Sequence, residues 1–312
     1  MTESIEDLLM NGYGVWRKNL LALGLPHLLN SVVSFIVLIA GALLVGAVIL
    51  IPLMSQITGG GFDPASFIPL LTSSILPLLV ILALVAFFLI LLISSFFTAG
   101  AIGMAMKAIE TGRTSVDDMM DYGKKKFLSL FFAEVLILLM IILGSLFLIP
   151  SVIAFLSGSL TIGLSLLILG LTVFTLYLTV LGVVLLVVPY AIVVGDLGPT
   201  EGIEKGYNVF MGNKLSIIFL WFILTALGVG CDLIQKVIVS FISILPCIGP
   251  FIALGILFLY LIFLVMVIAP LSTVWWTRLY MDRTTGLKTG SSPPEAQPQS
   301  REPPYPQPEI YI

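Results

Sequence analysis

Residues 135–195 read VLILLMIILGSLFLIPSVIAFLSGSLTIGLSLLILGLTVFTLYLTVLGVVLLVVPYAIVVG, with no Asp, Glu, Lys or Arg among them. Three more blocks share this property: Asn19 to Phe62, Pro64 to Met106, and Val237 to Thr277. Each block exceeds the roughly 20 apolar residues that one helix needs to cross a bilayer. Backbone placed in hydrocarbon must satisfy its own hydrogen bonds, so these runs predict helices. The strands of a membrane barrel would read instead as short alternating segments. The expected fold class is therefore all-α, a polytopic integral membrane protein with about six transmembrane helices. Composition agrees: 59% of the chain is hydrophobic and 10% charged, against roughly 25% charged in soluble domains.

Turn chemistry and charge divide the blocks into spans at 25–54, 71–106, 127–149, 160–195, 214–231 and 251–278. Gly59-Gly60-Gly61-Phe62-Asp63-Pro64 separates the first two, and Pro150 to Ser159 separates the third and fourth. Basic residues then orient the chain. Arg17 and Lys18 precede the first span; Lys107, Arg113, Lys124, Lys125 and Lys126 lie between the second and third. Lys205 and Lys214 lie between the fourth and fifth, and Arg278, Arg283, Lys288 and Arg301 follow the sixth. Lys236 alone falls on the opposite side. This bias predicts a cell-membrane protein with both termini cytoplasmic. It also places Tyr13, Trp16, Tyr122, Tyr207, Trp275, Trp276 and Tyr280 at the inner interface, where amphipathic rings gather. Glu3, Glu6 and Asp7 ahead of Arg17, with the long run behind, argue against a cleaved signal segment.

Three cytoplasmic segments share one grammar: a capping residue, acids, a tyrosine, basic residues, then an apolar span. They run from Ser4 through Tyr13 to Lys18, from Ser115 through Tyr122 to Lys126, and from Thr200 through Tyr207 to Lys214. Early acids and late bases suit the two ends of a helix. The pattern predicts short helices at 4–18, 115–126 and 200–213 lying on the inner leaflet. Each leads into a helical hairpin, a possible threefold repeat. The domains that follow are an amphipathic interfacial segment (1–24), a six-helix membrane domain (25–281) and a Pro-rich cytoplasmic tail (282–312). From Gly290 the tail is rich in Pro and poor in aliphatic residues, which predicts disorder. Pro303-Pro304-Tyr305-Pro306 is its candidate docking motif for a protein partner. On the outer side, apolar residues recur at helical spacing from Asp232 to Leu245, predicting a helix along that interface.

The stretch from Gly202 to Leu215 resembles a motif that precedes the fifth span of a poorly characterised six-helix membrane family. That family includes the membrane domain attached to some glycerophosphodiester phosphodiesterases. Lys205, Tyr207 and Asn213 match the motif, Gly206 stands where the family has Ser, and Pro270-Leu271 to Tyr280 is similar as well. The resemblance covers residues 1–283. It implies the six-helix arrangement; no catalysis carries over, because the phosphodiesterase domain is missing.

Common catalytic signals are missing. A single His supports neither a His-pair metal site nor a nucleophile–His system within one chain. No phosphate loop occurs, and Val194-Gly195-Asp196 lacks the first Gly of the intramembrane aspartyl-protease motif. No cofactor, metal or nucleic-acid partner is expected; the bilayer is. Glu134 is the one charge between Lys126 and Asp196, about 12 Å along a helix from Lys126. Exposed to lipid it would cost several kcal/mol, so it should face the bundle. His27, Thr98 and Tyr190 lie at comparable depth, about 9–13 Å from the flanking charges. Pro26, Pro189 and Pro270 share that layer, each freeing a carbonyl one turn earlier. A cytoplasm-facing polar cavity would need such a layer, with His27 or Tyr190 as the expected partner of Glu134. The alternative is that Glu134 snorkels or bonds a neighbouring helix. Cys231 and Cys247 flank the outer loop, either bridged or free and buried. The leading functional expectation is a non-enzymatic scaffold or envelope-associated factor. The alternative is a small transporter or channel around Glu134, and third comes an intramembrane enzyme.

Overall fold

Short polar segments start and stop the helices. Ser4 Oγ accepts the Asp7 N–H at 3.1 Å and opens α1 (Ile5–Lys18), with Glu6 and Asp7 in its first turn and Arg17 and Lys18 in its last. These charges complement the helix dipole. The structure, a computed structural model, describes residues 3–58, 69, 71–245 and 248–285. The described residues are 92% helical and include no strand. Gly59 to Pro64, Cys247 and the tail from Gly290 lie outside them.

After α1 come α2 (Leu20–Thr58), a π turn (Leu71–Ile75) and α3 (Leu76–Thr111). Next, α4 (Val116–Gly144) passes through a 3-10 turn (Ser145–Leu148) into α5 (Ile149–Leu156). Then follow α6 (Leu160–Leu185), α7 (Val188–Val194), α8 (Pro199–Gly212) and α9 (Lys214–Ile242). A second hairpin arm, α10 (Gly249–Phe263), runs through a π turn (Leu264–Ile268) into α11 (Ala269–Thr285). Six of the resulting rods are long and apolar enough to cross a membrane: Leu20–Met54, Thr72–Thr111, Val116–Leu156, Leu160–Val194, Lys214–Ile242 and Gly249–Thr284.

Helix α2 packs on α3, α3 on α4, α5 on α6, and α9 on α10; α1 lies against α11 and α8 against α7. The core sits at the charged end of the bundle. Leu8 and Trp16 of α1, Met104 and Ala108 of α3, and Val274 and Tyr280 of α11 form one buried cluster. At the far end the helices bury little against each other. The buried residues of α9 are Ile217 and Leu220, both near its start, and α10 buries Gly249. Large apolar side chains such as Phe241, Ile244 and Phe251 face outward there. Two glycines allow the close approaches that seal the charged end. A Cβ on Gly12 would lie 2.5 Å from Trp275 Cδ1, and one on Gly103 would collide with the Tyr122 ring.

The expected helices at 4–18 and 200–213 correspond to α1 and α8. Both end on an asparagine of the same form: Asn19 (φ −120, ψ 20) and Asn213 (φ −136, ψ 33). Each donates its side-chain amide at 3.0 Å to the carbonyl four residues back, Val15 or Val209. The expected separate helix at 115–126 does not exist; these residues are the first turns of α4. Asp118 accepts the Ser115 N–H at 2.8 Å and starts the helix, but no asparagine follows to break it before the apolar run. The expected end of the fifth span at residue 231, with an outer-interface helix after it, is also corrected. Helix α9 continues to Ile242, supported by the Lys236–Asp232 pair at 2.7 Å, and stops shortly before Pro246, whose ring disfavours helix ahead of it. Pro150 does not end the third rod either. It sits in the first turn of α5, where a missing N–H costs little, and the chain turns at Gly158 with φ +79.

Candidate functional site

The polar residues expected to share one layer do not meet. Glu134 on α4 faces α3, where Ser95 Oγ lies 2.8 Å from Glu134 Oε2 and 2.7 Å from the Leu91 carbonyl. The single hydroxyl hydrogen is shared between those two acceptors. Ser95 is fully buried. The expected partners of Glu134 lie elsewhere: His27 on α2 is 3.3 Å from Thr273 Oγ1 of α11, and the Tyr190 ring of α7 packs at 6.5 Å from that of Trp276. Thr98 is half-buried on α3. The expected shared face is absent, because each of these side chains meets its own neighbour.

The charged end holds networks that the sequence reading missed. Glu3 is buried, and Arg278 grips it in a fork, with Nε to Oε2 at 2.9 Å and Nη2 to Oε1 at 2.8 Å. Asn11 donates to the same carboxylate at 2.6 Å. The Glu3 N–H reaches both oxygens of buried Asp282 at 3.2 Å, which also pairs with Arg283 at 3.5 Å. Arg283 in turn donates to the Glu3 carbonyl at 3.2 Å, and the Trp275 indole donates to the Leu9 carbonyl at 3.1 Å. Glu3, just ahead of α1, is thus clamped onto α11. Arg278 and Asp282, one turn apart, were the available signal. A second latch joins α4 to the α7 end: buried Lys126 meets Asp196 at 2.7 Å and the Leu197 carbonyl at 3.2 Å, with Lys125 on Asp196 at 3.1 Å. The hydrogen bonds from Lys126 and Lys125 hold the Asp196 carboxyl below the usual carboxylate range. Trp16, Trp275, Trp276 and Tyr280, expected at the interface, are buried in this end.

Of the remaining expected residues, Tyr13 and Tyr207 are exposed and Tyr122 fills the notch at Gly103. Lys205 is exposed on α8, and Asn213 is its terminal cap. Cys231 is half-buried within α9; its expected partner Cys247 lies outside the described residues. A cavity of about 580 Å³ opens between α4, α6 and α8, roofed by Thr200, Ile203, Glu204 and Tyr207.

This arrangement offers structural clamps and an apolar cavity beneath α8. A profile for a domain of unknown function, DUF7847, matches residues 37–282. The chain belongs to this family. The matched region takes in the six long rods except the start of the first and the last two residues of the sixth, and it stops at Asp282 of the clamp. No curated protein and no solved structure matches the chain.

Proposed function

We propose that the chain is a multi-pass cell-membrane protein with both termini cytoplasmic, acting as a non-enzymatic scaffold through its charged end. The observation that carries this reading is the division of the bundle. Buried packing and ionic clamps concentrate where α1, α7, α8 and α11 assemble, while the far end presents apolar side chains outward. Contiguous exposed apolar surface on this scale suits lipid rather than water. The shared asparagine junctions of α1 and α8 fit an origin by repetition, in which the α4 start has fused with its span. The resemblance to the six-helix family linked to glycerophosphodiester phosphodiesterases fits as well, since its motif falls on α8.

The alternative is a small transporter or channel around Glu134, whose carboxylate accepts a hydrogen bond from Ser95 inside a helix pair. Ion and small-solute flux into proteoliposomes, with native protein and with Glu134→Gln, tests the choice. Background flux from both is the expected outcome. Flux above background that Glu134→Gln abolishes would move the function to transport.

A further inference from the structure

The cavity beneath α8 is lined almost wholly by hydrocarbon, with Thr200, Glu204 and Tyr207 of α8 among its residues. Leu181, Val184 and Leu185 of α6 and Met140 of α4 form its wall. The Tyr177 hydroxyl is already committed there, donating to the Met140 carbonyl at 2.8 Å, so the ring adds apolar surface. The Met140 thioether adapts its shape to an irregular guest. The polar lining comes from α8, where Thr200, Glu204 and Tyr207 follow helical spacing and fall on one exposed stripe. On another face of α8, Gly206 sits 2.8 Å (as a built Cβ) from Val188 of α7, which fixes that stripe over the cavity. Glu204 is the one formal charge in the lining. Val180 in the lining and Leu176 one turn before it on α6 are 58% and 68% exposed, so the cavity opens onto the apolar outer surface.

We propose that this cavity holds one hydrocarbon chain of a membrane lipid whose head group carries a primary ammonium, with that ammonium set against Glu204. The proposal rests on the membrane reading above. An apolar slot that opens sideways onto an apolar surface receives its guest from the medium bathing that surface, which selects a lipid over a soluble peptide. The Glu204 carboxylate then attracts an ammonium head group and repels a purely anionic one. An exposed ion pair of this kind supplies selectivity of about 1.4- to fivefold.

Native mass spectrometry of the full chain, in neutral-detergent micelles carrying equal phosphatidylethanolamine and phosphatidylglycerol, tests it. The native chain should retain the amine lipid over the anionic one by about 1.4- to fivefold. Glu204→Lys should reverse that preference, and Leu181→Trp should lower retention of both lipids by filling the slot. Glu204→Lys alters an exposed residue and decides the matter if Leu181→Trp fails to fold. Equal retention by the native chain, or a preference that survives Glu204→Lys, overturns the proposal. Release of the chain from cell membranes by alkaline carbonate without detergent would instead overturn the membrane reading, whatever the lipid preference.

Discussion

Glu134 draws attention in the sequence because a carboxylate is rare in such surroundings, and in the structure it serves one helix pair. Hydrogen bonds between helices in this setting are worth about 1 kcal/mol. Ser95→Ala should therefore lower stability by about 1 kcal/mol in denaturant titrations of purified protein. Glu134→Gln should cost less, because an amide oxygen still accepts from Ser95. An unchanged midpoint for Ser95→Ala would remove this pairing. Asp196 offers a pH test. Lys126 and Lys125 depress its folded-state pKa, so its contribution is present above the unfolded value near 3.9 and is lost as pH falls through the folded one. The stability gap between the native chain and Asp196→Asn should thus narrow on acidification from pH 7 toward pH 3; a gap that widens would contradict the latch. Residue partners were the least legible part of the sequence. Helical rise fixes depth along an axis, but rotation about that axis decides which of Ser95, His27 or Tyr190 a carboxylate meets.

At the scale of elements, the sequence showed the long helices and most of their breaks. It did so because charge-free runs and asparagine, glycine and proline punctuation act locally. Asn19 and Asn213 mark real junctions, whereas the analogous place after Lys126 has no breaker and the helix runs through. What local rules did not show was the long-range seating of α1 on α11, which depends on Glu3 and Arg278, 275 positions apart. Two predictions follow from that seating. Gly12→Ala would push a methyl into Trp275 and should destabilise by about 1–3 kcal/mol. Gly14→Ala, with open space around it, should stabilise by about 0.5–1 kcal/mol. Equal effects at the two glycines would mean that α1 does not rest on Trp275. Removing one partner of a buried pair is costly, about 3–5 kcal/mol when the other charge stays buried. Arg278→Ala should therefore release α1, seen as faster amide exchange over residues 5–18 with the exchange of α3 and α4 unchanged.

For the whole molecule, the apolar far end and the clamped charged end make one argument about placement. The charged end carries the connections Gly112–Ser115 and Leu197–Gly198, and both α1 and the end of α11 lie there. The far end carries the Gly158 turn and the later turns of α9 near Lys236. Under the proposed membrane reading, six crossings with this division would place Gly112 and Gly212 on one side and Gly158 and Lys236 on the other. Paired compartment reporters fused after each of these four positions in living cells test this most directly. The account predicts cytoplasmic signals after Gly112 and Gly212 and external signals after Gly158 and Lys236. An external signal after Gly112 would contradict it.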